Sequence, residues 1–103
     1  MIGVNLRRDG DLISGVEVSG HSGYAEEGSD VVCAAVTSAV RLAECVLNDS
    51  MGLGAEASAT DARAVIKLSG AQARTGGVQD ILRGFALYME QLAREYPENI
   101  RII

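Results

Sequence analysis

The chain has no tryptophan, one phenylalanine, one proline, one histidine and two cysteines in 103 residues. With so few large aromatics, the core has to be built from Ala, Val, Leu and Ile. Such small aliphatic residues let helices pack closely on a sheet. Two cysteines cannot staple a small secreted scaffold. Cys33 and Cys45 stand twelve positions apart on one predicted helix, roughly 18 Å by the helical rise, beyond disulfide reach. Both are expected as reduced thiols, consistent with a cytoplasmic setting. One histidine and two distant cysteines do not match zinc-ligand spacing, so no metal or other cofactor is expected. No run of Lys or Arg exists to neutralise phosphates, and 9 basic against 14 acidic residues give a formal net charge of −5. Nucleic acid is therefore excluded as the main partner. Long apolar runs are broken by Arg, Glu or Asp short of about twenty residues, which predicts no membrane span. The first twenty residues lack a signal peptide's basic start and continuous apolar run.

What remains is a chain that is 48% hydrophobic, enough for one domain over residues 1–103 to bury a core without disulfides or metal. Ile2, Val4 and Leu6 alternate with Gly3, Asn5 and Arg7, the period of a strand. Asp9-Gly10 predicts a hairpin with a type I′ turn. A second strand follows, with Leu12, Ser14, Val16 and Val18 on one face and Ile13 as a stray apolar residue on the other. Ser29 or Asp30 can cap a helix running to about Asp49, with Val32, Val36, Ala39, Val40, Ala43, Val46 and Leu47 inward. Arg41, Glu44 and Asn48 take its wet side, and Cys45 reads as core or near-core. Leu53 to Ala59 and Ala62 to Leu68 alternate as strands, with Val65 a second stray apolar residue. After Gly76-Gly77, a second helix is expected, with an apolar stripe of Val78, Ile81, Leu82, Phe85, Met89, Leu92 and Tyr96. Gly84 inside it predicts a close backbone contact, and Pro97 stops it. Ile100 and Ile102 make a final strand. The order ββαββαβ predicts an α+β two-layer sandwich: about five strands, mostly antiparallel or mixed, with two helices on one face. Ile13 and Val65 on the outer face are candidates for a dimer surface.

The chemistry concentrates in one window. His21, in a loop with Gly20, Gly23 and Gly28, precedes Cys33 by twelve residues. Cys33 falls where the first long helix begins. Unpaired amides and the helix dipole there favour negative charge, and a nearby imidazole adds to this. His21 can form an ion pair with such a thiolate and later protonate an amine leaving group. Backbone amides near Cys33 can serve an oxyanion. Asp30 either caps the helix or orients His21 as the acidic member of a triad does. Thr37, one turn below Cys33, either lines the site or bonds a backbone carbonyl. On residues alone, three readings stay open: cysteine catalysis, a binding module with a packed cysteine, and a redox-sensing thiol.

Gly20-His21-x-Gly23-x-Ala25-x-x-Gly28-x-Asp30-x-Val32-Cys33-Ala34-Ala35-Val36-Thr37 resembles the signature of the ribosomal-processing cysteine protease family, Prp. The likeness extends over essentially the whole chain, with the N-terminal hairpin, the two helices, Glu95-Tyr96-Pro97 and the last strand. Thr37 stands where that family more often has Ser, and a hydroxyl is kept. The resemblance implies a homodimeric cytoplasmic endopeptidase with a Cys/His dyad of Cys33 and His21. Gly20, Gly23 and Gly28 match loop glycines that let the histidine segment move when substrate binds. The implied substrate is a precursor of large-subunit ribosomal protein number twenty-seven, from which a short apolar N-terminal extension is removed.

Overall fold

The computed structural model describes residues 1–20, 31–60 and 62–103. Strands β1 (Ile2–Asp9) and β2 (Leu12–Ser19) form a hairpin. Helix α1 (Val31–Glu44) continues into a π-helical turn, Cys45–Ser50. Strands β3 (Glu56–Ala59) and β4 (Arg63–Lys67), helices α2 (Gly70–Arg74) and α3 (Val78–Glu95) and strand β5 (Ile100–Ile102) complete the order. The five strands make one mixed sheet, β3-β4-β2-β1-β5. Only the β1–β5 pair is parallel, because α3 carries the chain back across the sheet before β5. The α+β class, the five-stranded mixed sheet and the helical layer match the sequence expectation. A third helix does not appear in that expectation. Short α2 is held by a reciprocal cap in which Gln72 N–H donates to Ser69 Oγ at 3.1 Å and Ser69 N–H donates to Gln72 Oε1 at 2.9 Å.

The core lies between the sheet and the helices. Ile2, Val4, Val16 and Ile66 from the sheet meet Val32, Val36, Leu47, Leu82 and Met89 from the helices. The long helix spans Val31–Ser50 and, by length and composition, is apolar enough to cross a membrane. That differs from the sequence expectation, because the charged Arg41, Glu44 and Asp49 are too few to lower its mean hydropathy. Its stripe of Val32, Val36, Val40, Ala43 and Leu47 is buried in this core, so the apolar content has a place in the folded domain.

Four local expectations change. The hairpin turn has Gly10 at φ 63° and no positive φ at Asp11. A type I′ turn needs both, so glycine at the first central position with an ordinary second residue fits type II′. Ile13 is not an outer-face residue. Arg7 pairs with Gly15 and Arg8 with Ile13, leaving Ser14 as an extra residue in a bulge. That single insertion flips the alternation, and Ile13 turns into the core at 3% exposure. Gln79 of α3 then secures it, accepting from Ile13 N–H at 2.9 Å and donating to Ile13 C=O at 2.9 Å. Val65 does face outward, but it is only 8% exposed, in a shallow depression walled by Glu56, Ser58, Arg63 and Lys67. Long charged side chains cover apolar surface with their stems. Neither residue therefore offers an apolar dimer surface. Finally, a Cβ built on Gly84 meets nothing within 4 Å, so no close backbone contact requires glycine there.

Candidate active site

Helix α1 begins at Val31, which makes Cys33 its third residue. Val32 and Val36 are fully buried, and this fixes the rotation of the helix. Cys33 follows Val32 by about 100° of helical turn and is half-buried, packed on the core edge. Thr37 lies one turn farther along and is exposed. The first turn of α1 contains no carboxylate, so no side chain within that turn offsets the positive end of the helix dipole. Gly20 ends the excursion of β2, the middle strand of the sheet. His21, Gly23, Gly28 and Asp30 lie outside the described residues, and with them the histidine loop and the helix cap. Thus Gly20, Cys33 and Thr37 have a stated place, at the two ends of the segment that carries the only histidine.

Cys45 departs from expectation. It is exposed, not core, because at about 100° per residue its position, thirteen residues after Val32, lies opposite the buried Val32, Val36, Ala43 and Leu47. A hydrogen bond with Asp49, the negative charge of that carboxylate, some desolvation and the charge of Glu44 push its thiol pKa above the ordinary value. Asn48, expected on the wet side, is half-buried: its amide donates to Ala55 C=O at 3.0 Å and accepts from Ala55 N–H at 2.7 Å. It ties the end of the helix to the chain entering β3.

Sequence reading overlooked one surface. An open apolar groove of about 740 Å³ runs between α1 and α3, lined by Ala35, Ala39, Leu42, Gly84, Phe85 and Tyr88 among others. Leu42 and Tyr88 on its sides are 66% and 44% exposed. The signal was available: Ala35, Ala39, Leu42 and Val46 form a second three-to-four-residue stripe beside the buried one.

The chain matches a family model described as cysteine protease Prp over residues 1–101. Among solved structures, SMU.848 from Streptococcus mutans is 26% identical, with a TM-score of 0.86 over 99% of this chain and 91% of that one. An essential ribosomal processing protease Prp from S. aureus, in complex with a covalently linked product peptide, is 25% identical, with a TM-score of 0.81 over 99% and 97% of the two chains. The same S. aureus protease with a substrate peptide shares the fold at 21% identity and a TM-score of 0.81. No curated protein matches.

Proposed function

Because the chain belongs to the cysteine protease Prp family, we propose that it is a cytoplasmic endopeptidase of ribosome assembly in which Cys33 is the nucleophile and His21 the general base. The observation that carries this reading is the position of Cys33 in the first turn of α1, just beyond the segment with the only imidazole. The covalent link to a product peptide in the S. aureus relative supports nucleophilic catalysis of this kind. A cysteine protease also accounts for the helix-start thiol better than a packed cysteine in a binding module, or a redox sensor with no second thiol in reach.

In the proposed reaction, His21 takes the proton of Cys33 and the sulfur attacks the scissile carbonyl. Backbone amides at the helix start stabilise the resulting oxyanion. As the C–N bond breaks, His21 gives its proton to the leaving amine, and a thioester remains on Cys33. Water then attacks the thioester while His21 accepts its proton; the carboxylic product departs and the thiol is restored. Asp30 either caps α1 or orients His21, and the hydroxyl of Thr37 borders the site. Gly23 and Gly28 allow the histidine segment to rearrange around substrate. The substrate is the precursor of large-subunit ribosomal protein twenty-seven, cut near aromatic residues of its apolar leader. A basic ribosomal protein suits the −5 charge of the enzyme during encounter. The test is mass spectrometry of a synthetic leader peptide incubated with the protein. One cut is expected, with a transient thioester on Cys33, and none with Cys33→Ala or His21→Ala. An undiminished cut by either variant refutes the dyad.

The enzyme is further proposed to act as a homodimer joined through the α1/α3 groove. The exposed Leu42 and Tyr88 stand beside a valley of Ala35, Ala39 and Gly84. A two-fold axis would set the ridge of one copy into the valley of the other. Sedimentation should show a dimer that Leu42→Glu converts to monomer; a native monomer at all concentrations contradicts the proposal.

A further inference from the structure

Among the described residues, five glycines have positive φ, at positions 10, 20, 52, 54 and 77. At Gly10, Gly52 and Gly54 an added Cβ would meet nothing within 4 Å, and at Gly77 only the end of Met51 at 3.9 Å. Those positions need glycine for its backbone angle alone. Gly20 is different. Its φ is +86°, and a Cβ there would lie 2.4 Å from the carbonyl oxygen of Met1, 3.6 Å from the carbonyl carbon and 4.0 Å from Ile2 Cα. These are backbone atoms, and they have little room to retreat. Ile2 N–H donates to Asn99 C=O at 2.8 Å, and the Ile2 side chain is 1% exposed in the core. On the other side, Gly20 N–H donates to Ala62 C=O at 2.7 Å. The preceding residue, Ser19, is paired with both Gly3 of β1 and Arg63 of β4. Gly20 is thus held from two sides at the end of the middle strand, in a conformation and a space that together admit no L side chain.

A freely turning hinge needs neither restraint. We infer that Gly20 is a positioning residue: it is locked between Met1, just before β1, and Ala62, just before β4, and fixes the direction in which the chain departs toward His21. The inference rests on the proposed role of His21 as general base, whose Cα is about 3.8 Å from that of Gly20 across the peptide bond. A side chain at position 20 has to push the strand end away from Met1 or rotate φ. Either change re-aims the next residue. Displacement of a catalytic group by about 1 Å can cost on the order of 100-fold in rate.

Three measurements test this. In the native chain, hydrogen exchange read by NMR should show the Gly20 amide protected like the strand amides of β2. Exchange at the rate of an unstructured peptide overturns the restraint. In Gly20→Ala, kcat on the leader peptide should fall on the order of 100-fold with KM within a few-fold of native. Alkylation of Cys33 at acidic pH should slow to the level of His21→Ala. A loss of melting temperature with an unchanged alkylation profile and kcat means that Gly20 is merely structural and overturns the positioning role. Should Gly20→Ala fail to fold, the native amide decides. If the native protein cuts no leader peptide, or His21→Ala alkylates and cuts as native does, the dyad itself falls and takes the positioning role with it. The amide then still reports whether Gly20 is restrained.

Discussion

Cys33 and Cys45 sit on one continuous helical segment and differ in almost everything that controls a thiol. Cys33 is in the first turn of α1, none of whose own residues is acidic, and the helix dipole there favours an anion. Cys45 begins the π-helical turn at the other end, where carbonyls gather, and Asp49 and Glu44 hold its proton in place. Cys45 is the more exposed of the two, so accessibility alone would choose the wrong sulfur. Position along the helix, rather than exposure, separates a candidate nucleophile from an inert thiol.

The largest way to break this comparison is to delete each sulfur. Cys33→Ala should reduce peptide cleavage on the order of 10⁶-fold, as loss of a nucleophile does elsewhere, whereas Cys45→Ala should stay within about twofold of native on the scale of ordinary surface changes. Equal losses in a cleavage assay would erase the distinction. Next in size is selective alkylation. Iodoacetamide at mildly acidic pH should label Cys33 at least about tenfold faster than Cys45, located by peptide mapping. Removing the carboxylate with Asp49→Asn should then speed Cys45 labelling several-fold and leave cleavage untouched; no change would mean that Asp49 does not hold the proton. The sign for stability follows from the same shift. Because the folded chain keeps the Cys45 proton to higher pH than the unfolded chain, stability falls as pH rises through and above the ordinary thiol range. The group is fully exposed, so this contribution is small. Smallest is Gly84→Ala on α3. With open space for the added methyl, it should raise protomer stability by about 1 kcal/mol in denaturant unfolding while altering neither thiol. Destabilisation of the protomer would show that the position does need glycine.

Much of the fold was legible because it depends on period and punctuation. Alternation in Ile2 to Leu6 and Ala62 to Leu68 located strands, and the spacing of Val32, Val36, Val40 and Leu47 gave the buried face of the first helix. Helix α2 was legible in principle through Ser69-x-x-Gln72, but five residues are too short for apolar periodicity to show. The bulge at Ser14 was not legible. It depends on pairing with β1 and on Gln79, sixty-six residues away, capturing the Ile13 backbone. The placement of Cys45 failed although the helical period was sufficient: at about 100° per residue it lies opposite the stripe that runs from Val32 to Leu47.

For the site, sequence alone determined the inventory, with one imidazole, one thiol at a helix start and a glycine-rich segment between them. Those depend on local order and chemistry, which the chain carries wherever it folds. Tertiary structure alone decided that Ile13 belongs to the core and that Gly20 is gripped by Met1 on one side and Ala62 on the other. Each of those depends on atoms brought together by the sheet and its helical layer, and the spacing of residues along a chain does not encode which neighbours arrive.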